Sequence, residues 1–265
     1  TTVDNELCVK FDKGTLICIM AKHVDDLKLT GEKRIIIWVL QQIEKVFGEL
    51  KIIWHEFTNC GIRHIQSRET MEISLDQEEY VKKLKPIQHA ELSGPSSDRE
   101  CSAPLIQLFM SLLGAVAYAL MTRVDIAVFV CALQRVTHKP QVIHVKRLNA
   151  VLRWMQANPK RIWFRRMAGE THLRCVGDAA FRKEETEGRS LRGALFLRAV
   201  SGRELPETTA IYTSTSPVHL IDAVCKSQRH VTRSTFSSEL LSACDTVDHG
   251  MLLALTVHEL TAGIQ

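Results

Sequence analysis

Between Ser102 and Thr122 the chain carries no charged side chain. A run of that length must be hidden from water, in a bilayer or in a protein core. Pro104, Gln107, Ser111 and Gly114 interrupt it, and its helical pattern runs straight on into Arg123 and Asp125. Those features fit the buried helix of a globular domain, with no membrane as partner. The chain has 265 residues, 45% of them hydrophobic, enough for one large core or two modest ones. Its eight cysteines include no Cys-x-x-Cys pair, and several stand inside apolar runs. They read as reduced core residues of an intracellular protein, not as a disulfide frame or zinc site. The start lacks a basic-then-apolar leader and opens in mid-pattern without a Met, which reads as a piece of a longer chain.

Hydrophobic periodicity divides the rest. Leu7–Phe11 and Leu16–Met20 alternate around an Asp12-Lys13-Gly14 turn, a hairpin signal. Ile35, Ile36, Val39, Leu40, Ile43 and Phe47 follow helical spacing. Glu49–Trp54 and Glu56–Gln66 read as strands, Glu72–Leu75 as a strand and Gln77–Leu84 as a helix. His89–Glu100, with Ser93, Gly94, Pro95, Ser96 and Ser97 in a row, reads as a linker. Three helices follow, at about Ile106–Met121, Val124–Thr137 and Val142–Asn158. The tail is expected to form strands at Leu173–Val176, Ser190–Ala199, Ala210–Thr215 and Ser227–Arg233. A helix then opens near Ser234–Glu239, where Ser234 or Ser237 supplies a side-chain cap.

Charge is uneven along this order. His144–Arg203 holds fourteen Lys/Arg against five Asp/Glu, and Glu204–Gln265 holds three against seven. A basic middle beside an acidic end suits a phosphate backbone laid near metal-binding carboxylates, and an ordinary solvated face fits it as well. On the third helix Val145, Leu148, Val151, Leu152 and Met155 make the apolar stripe. Lys146, Arg147 and Arg153 point outward, with Arg165 and Arg166 further on.

Asp25 and Asp26 stand where one apolar run ends and Leu27 and Leu29 begin another. From a flat strand, neighbouring side chains face opposite ways; at a hairpin turn both carboxylates can reach one ligand. Held together they repel unless protonated or bridged by a cation, and hard oxygen ligands suit Mg²⁺. A solvated Asp-Asp turn has the same spacing. Asp178 follows a strand and Glu239 sits in the first turn of a helix; a turn residue and a dipole-stabilising acid are their plain readings.

The segment His23-Val24-Asp25-Asp26-Leu27, flanked by strands and followed by Thr30-Gly31, resembles the Tyr-Val-Asp-Asp box of copia-type retrotransposon reverse transcriptases, with His23 in place of Tyr. Asn59-Cys60-Gly61-Ile62 stands where that family has Phe-Leu-Gly-Ile, and Leu75, Gln77, Tyr80 and Leu84 match its Leu-x-Gln-x-x-Tyr-x-x-x-Leu segment. Ser111–Gly114, Tyr118, Thr122-Arg123-x-Asp125-Ile126-Ala127, Pro140, His144 and Lys146-Arg147-x-x-x-Val151-Leu152-Arg153 resemble its segment joining polymerase to ribonuclease H, with Val124 replacing Pro. Arg189–Gly193 matches its Ser-x-Ser-Gly strand loosely. Lys226–Arg229 and Ser234–Glu239 match its Lys-x-Gln/Arg strand and Ser-Ser-x-Glu helix. The Ala180-Phe181 stretch lacks the family's Trp.

The resemblance implies an α+β chain: residues 1–92 as the carboxy-terminal part of a reverse-transcriptase palm, 93–165 as a helical, thumb-like connection, and 166–265 as a partial ribonuclease H-like α/β domain. It implies RNA-directed DNA synthesis and hydrolysis of the RNA strand of a hybrid in the intact element. The cofactor would be Mg²⁺ (or Mn²⁺), two ions per complete site, about 4 Å apart. Asp25 and Asp26 would be metal ligands in the first half, and Asp178 and Glu239 in the second. Lys146, Arg147, Arg153, Arg165 and Arg166 would lie along an RNA–DNA hybrid or template–primer, with a nucleoside triphosphate as the polymerase substrate. The location would be cytoplasmic, in a virus-like particle, and nuclear. A further Asp in each family site falls outside this sequence. Asp245, six residues or about 600° of helix past Glu239, points away from it. The alternative is a catalytically incomplete relic that binds nucleic acid without turnover.

Overall fold

A computed structural model of the chain describes residues 1–94, 97–181, 189–200 and 218–263. It is an α+β chain with two compact units, Thr1–Trp54 with Asp245–Gln265, and His55–Cys244. The units part at residues 54/55 and 244/245.

In the first unit β1 (Leu7–Asp12), β2 (Thr15–His23) and β3 (Asp26–Gly31) form an antiparallel meander in that order. Helix α1 (Lys33–Phe47) follows, burying Ile36 and Leu40 with Cys18, and Leu29, Ile35 and Leu50 pack around them. Trp38 stays 48% exposed, with the Lys10 ammonium 5.1 Å above its ring, so it lies at the edge of this small core. Gly31 makes the close turn from β3 into α1. Its φ is +147°, and a Cβ there would collide with the Ile17 carbonyl oxygen and fall 2.7 Å from the Cys18 Cα. Gly31→Ala is expected to destabilise this unit by about 2 kcal/mol or more, read by denaturant unfolding, because the backbone must move. The stretch Glu49–Trp54, expected as a strand, forms none; it alternates too weakly and has no partner edge to complete. Beyond Cys244 the helix α6 (Thr235–Ala262) supplies Glu259, buried and accepting from the Thr2 amide at 2.8 Å and from the Thr2 hydroxyl.

In the second unit a four-stranded antiparallel sheet runs β4 (Glu56–Asn59), β5 (Ile62–Gln66), β6 (Ile73–Asp76), β7 (Ile162–Phe164). Strand β7 arrives only after the helices and was not legible as a strand from its three residues. Between β6 and β7 lie α2 (Glu78–Lys83), α3 (Ala103–Tyr118), α4 (Ala127–Gln134) and α5 (Val142–Ala157). The uncharged run is the centre of the core: Leu105, Phe109, Leu112, Leu113 and Val116 of α3 are buried with Val130, Val145, Leu148, Leu152 and Met155. By length and composition alone Ala103–Met121 and Thr235–Ala262 could each cross a membrane.

The described residues on either side of the serine-rich stretch are held by specific bonds. Arg99 donates to the Glu91 carbonyl at 2.6 Å, Glu91 accepts from the Ser102 amide and hydroxyl, and Glu100 bridges Gln141. Residues 95 and 96 lie outside the described ones. Polar side chains at fixed spacing therefore anchor this segment to α3 and α5, which composition alone does not reveal.

Helix α5 opens on a capping box in which Gln141 and His144 satisfy each other's backbone amides. His144 Nδ1 accepts from the Gln141 N–H at 2.9 Å. Burial, then the nearby Arg147 charge, push the His144 imidazole below its ordinary value. The unfolded chain thus binds that proton more readily. The stability this residue contributes is complete above about pH 6.5 and is lost as pH falls through the lowered folded value. His144→Gln, which keeps the box without titrating, is expected to remove that part of the pH dependence of the unfolding midpoint between about pH 7 and 5.

The second sheet of this unit contains β8 (Thr171–Ala180), β9 (Leu191–Val200) and β10 (Val218–Ser227), all antiparallel, with β9 central. Asp178 lies inside β8, opposite Gly193, and does not emerge after a strand end at Val176. The expected strand at Ser227–Arg233 is the loop after β10; the strand itself precedes it, because the apolar alternation of Leu220–Val224 outweighs the basic run. The expected strand at Ala210–Thr215 lies outside the described residues.

Candidate active site

The first acidic pair sits on the β2–β3 turn. His23 pairs with Asp26, so Val24 and Asp25 are the two turn residues. The expectation of two carboxylates at the tip is met by one residue in the turn and one at the start of β3. Both are exposed. Val24 holds φ +55° and is 85% exposed. A β-branched residue is costly in that region, and such strain gathers at functional turns.

The second pair comes from residues far apart in sequence. Glu239, in the first turns of α6, accepts from the Ala179 amide at 3.1 Å through Oε2. One turn further, the Ser242 hydroxyl donates to the Asp178 carbonyl at 2.8 Å. Helix α6 is thus seated on the end of β8, the outer strand of its sheet, and brings Glu239 to the residue next to Asp178. Asp178 is exposed and Glu239 half-buried.

A buried polar set fixes this corner. Gln228 donates through Nε2 to the Ser238 carbonyl at 2.7 Å, and its Oε1 accepts from the Ser238 hydroxyl. The Gln228 amide donates to the Ser190 carbonyl, and the Ser190 hydroxyl lies 3.2 Å from that of Thr232. Ser190, Gln228, Ser238 and Ser242 are each at most 2% exposed, so none can lose its partner cheaply. Ser234 caps the helix: its hydroxyl accepts from the Ser237 amide at 3.1 Å.

The five expected nucleic-acid contacts lie on α5 and just after β7. Lys146 and Arg153, seven residues apart, share a side of α5; Lys146 donates to the Ser97 hydroxyl at 3.1 Å. Arg147 and Arg153 are exposed. Arg165 is 3.5 Å from Glu72 and lies over the Trp163 ring, and Arg166 is exposed. The sheet that carries Asp178 also holds bases that sequence reasoning missed, on the face of Ala179 and not that of Asp178. Arg192 stands in register between Ala179 and Lys226, and exposed Arg229 and Arg233 follow on the way into α6. The signal was the Lys226–Arg229 segment itself, whose charges only the β9–β10 register brings beside the corner.

Several residues of the resemblance are structural. Cys60 and Gly61, both at positive φ, close the β4–β5 hairpin. The Tyr118 ring lies against Gly61, where a Cβ would come within 3.2 Å, and its hydroxyl donates to the Cys60 carbonyl. Gln77 donates to the Tyr118 carbonyl at 3.3 Å and accepts from the Thr122 hydroxyl at 2.9 Å; Tyr80 donates to the Ala115 carbonyl. Arg123, 3% exposed, donates from Nε and one NH2 group to both oxygens of Asp125 and from the other to the Met155 carbonyl. These residues bind the hairpin and helices together, and Gln77 and Arg123 also line a pocket with Glu78, Lys82 and Lys160.

No family model matches the chain, and no curated protein or solved structure matches it. Among the described residues no three His, Cys, Asp or Glu side chains converge as a metal cage. Asp25 with Asp26, and Asp178 with Glu239, number two carboxylates each, a ligand type that suits hard cations such as Mg²⁺ or Mn²⁺ and fewer than a two-ion site needs.

Proposed function

We propose that this chain is a piece of a copia-type retrotransposon pol polyprotein, whose whole performs RNA-directed DNA synthesis and hydrolyses the RNA strand of RNA–DNA hybrids with two divalent ions. The observation that carries this reading is the seating of Glu239 on the Ala179 amide beside Asp178. A strand bearing an acid, two further antiparallel strands and a helix bearing the second acid come in the order the resemblance calls for. The exposed Asp25–Asp26 turn, on a hairpin with a strained Val24, supports the polymerase part.

The cation's chemistry would be to hold the attacking and leaving oxygens of a phosphodiester. The chain's own part is to present carboxylates at the end of β8, with bases on the other face of the same sheet and in the loop leading into α6. Arg192, Lys226, Arg229 and Arg233 would take backbone phosphates, which set affinity without reading sequence. A second reading, binding without turnover, is favoured by the lack of a third converging acid among the described residues.

Hybrid binding across a salt series, with RNA cleavage followed in Mg²⁺, separates them. Steeply salt-dependent binding with cleavage supports the enzyme, binding alone supports the relic, and no binding at low salt overturns both. The double variant Arg192→Ala, Lys226→Ala is expected to weaken binding of every hybrid sequence alike and to lower the salt slope by roughly 2.

A further inference from the structure

Strand β8 has β9 on one side and, among the described residues, no strand on the other. Along it Cys175, Val176, Gly177 and Asp178 are all exposed. Arg174, Val176 and Asp178 share one face of the strand, opposite Leu197, Leu195 and Gly193 of β9. Val176 is 50% exposed and Leu195 beside it 42%, whereas Ala194 and Phe196 on the other face are buried. Arg174 lies 3.4 Å from the His172 ring nitrogen Nε2. Neither Arg174 nor Asp178 has an oppositely charged partner among the described residues. Four residues apart on a strand, they stand about 13 Å from each other, too far to pair.

An open edge of this kind is a template for another strand, and the pattern of charges here is complementary to itself. We propose that two copies of the chain associate by antiparallel pairing of β8 about a two-fold axis at Val176, which sets Arg174 of each copy opposite Asp178 of the other. Val176 then faces its own counterpart, and Cys175 faces Gly177. Residues opposite one another in an antiparallel pair project from the same face. The two ion pairs therefore flank an apolar strip made of Val176 and Leu195 from both copies. An axis at Arg174 or at Asp178 would set like charges against each other, so charge selects this register.

Helix α6 already holds the Asp178 carbonyl and the Ala179 amide, which confines the new ladder to about Arg174–Asp178. So small an interface makes a weak dimer, with a dissociation constant on the order of 50 μM. Its exposed ion pairs make it weaker still as salt is raised.

The association does not rest on the proposed function, and it is measured in EDTA so that no cation competes for Asp178. Sedimentation equilibrium of the full chain is expected to give a mass that rises with concentration from 30.0 kDa towards twice that value. By symmetry Arg174→Asp and Asp178→Arg each spoil both ion pairs, and either is expected to weaken the dimer at least tenfold. Mixing the two variants, or combining them in one chain, restores opposite charges at both pairs and is expected to restore association. Val176→Lys, at a half-exposed site, is expected to weaken the dimer with both pairs left in place, and the denaturant midpoint checks that each variant is folded. A chain that stays monomeric up to about 0.5 mM, ten times the expected constant, overturns the proposal. So does a dimer indifferent to these variants, or one that the opposite variants fail to rescue on mixing.

Discussion

Arg123→Ala will cost the His55–Cys244 unit about 3 kcal/mol of stability, measured as a lower denaturant midpoint with an unchanged slope. The guanidinium is buried and gives three of its donors to Asp125 and the Met155 carbonyl, with the Trp154 ring 5.3 Å away. Removing it leaves the Met155 carbonyl unpaired in the core and takes from Asp125 its two shortest contacts. Lys160, 3.3 Å from Asp125, remains, which keeps the loss at the lower end for a broken buried pair. Burial alone would raise the Asp125 carboxyl, but hydrogen bonds and charge from Arg123 and Lys160 outweigh it and hold the group below its ordinary value. Its contribution is thus present above about pH 4 and lost as pH falls through the lowered folded value; in Arg123→Ala that acid dependence shrinks. Arg123→Lys will not restore stability, since one ammonium cannot span the same three acceptors.

Glu239→Gln and Asp178→Asn have the other large effect, on cation binding. Under the proposed function, in which both are direct ligands, Mn²⁺ affinity, followed by titration calorimetry, is expected to fall by about a hundredfold or more in either variant, beyond the usual penalty for losing a supporting residue. Stability should shift by less than about 1 kcal/mol. The amide oxygen introduced by Glu239→Gln can still accept from the Ala179 amide, and position 178 is exposed, so the fold does not depend on either charge. A variant that unfolds instead would assign Glu239 to holding α6 in place.

Much of the chain was legible because its signals are local. The Lys13-Gly14 turn, the α1 and α5 stripes, and the uncharged run that became α3 each follow from short-range periodicity or turn chemistry, whereas Glu56–Gln66, read as one strand, is the β4–β5 hairpin turning at Cys60-Gly61. What was hidden depends on pairing between distant segments. Strand β7 is only three residues long and exists because β6 offers it an edge. The register that sets Arg192 beside Lys226 cannot be read from either strand alone. Gln77, Thr122 and Arg123 belong to motifs suggestive of function, yet Thr122 bonds Gln77, Arg123 bonds Asp125, and Gln77 and Arg123 also donate to backbone carbonyls. The cysteines divide likewise: apolar neighbours correctly mark Cys18 and Cys131 as buried, while Cys8, Cys60, Cys175 and Cys244 lie at the surface because each falls on an outward position of a strand, turn or helix. At the candidate site, Asp178 and Glu239 were visible as residues, but their meeting depends on Gln228, Ser238 and Ser242, whose buried bonds carry no sequence pattern of their own.

The central claim is that the end of β8 and the start of α6 together offer a divalent cation two carboxylates. Its most direct test is the amide NMR spectrum of the isotopically labelled chain during addition of Mn²⁺, whose unpaired electrons broaden nearby signals. Early, selective loss of the signals around Ala179 and Glu239 is predicted, abolished in Asp178→Asn. Uniform broadening across the spectrum, or selective loss at other acids with these signals intact, would contradict it.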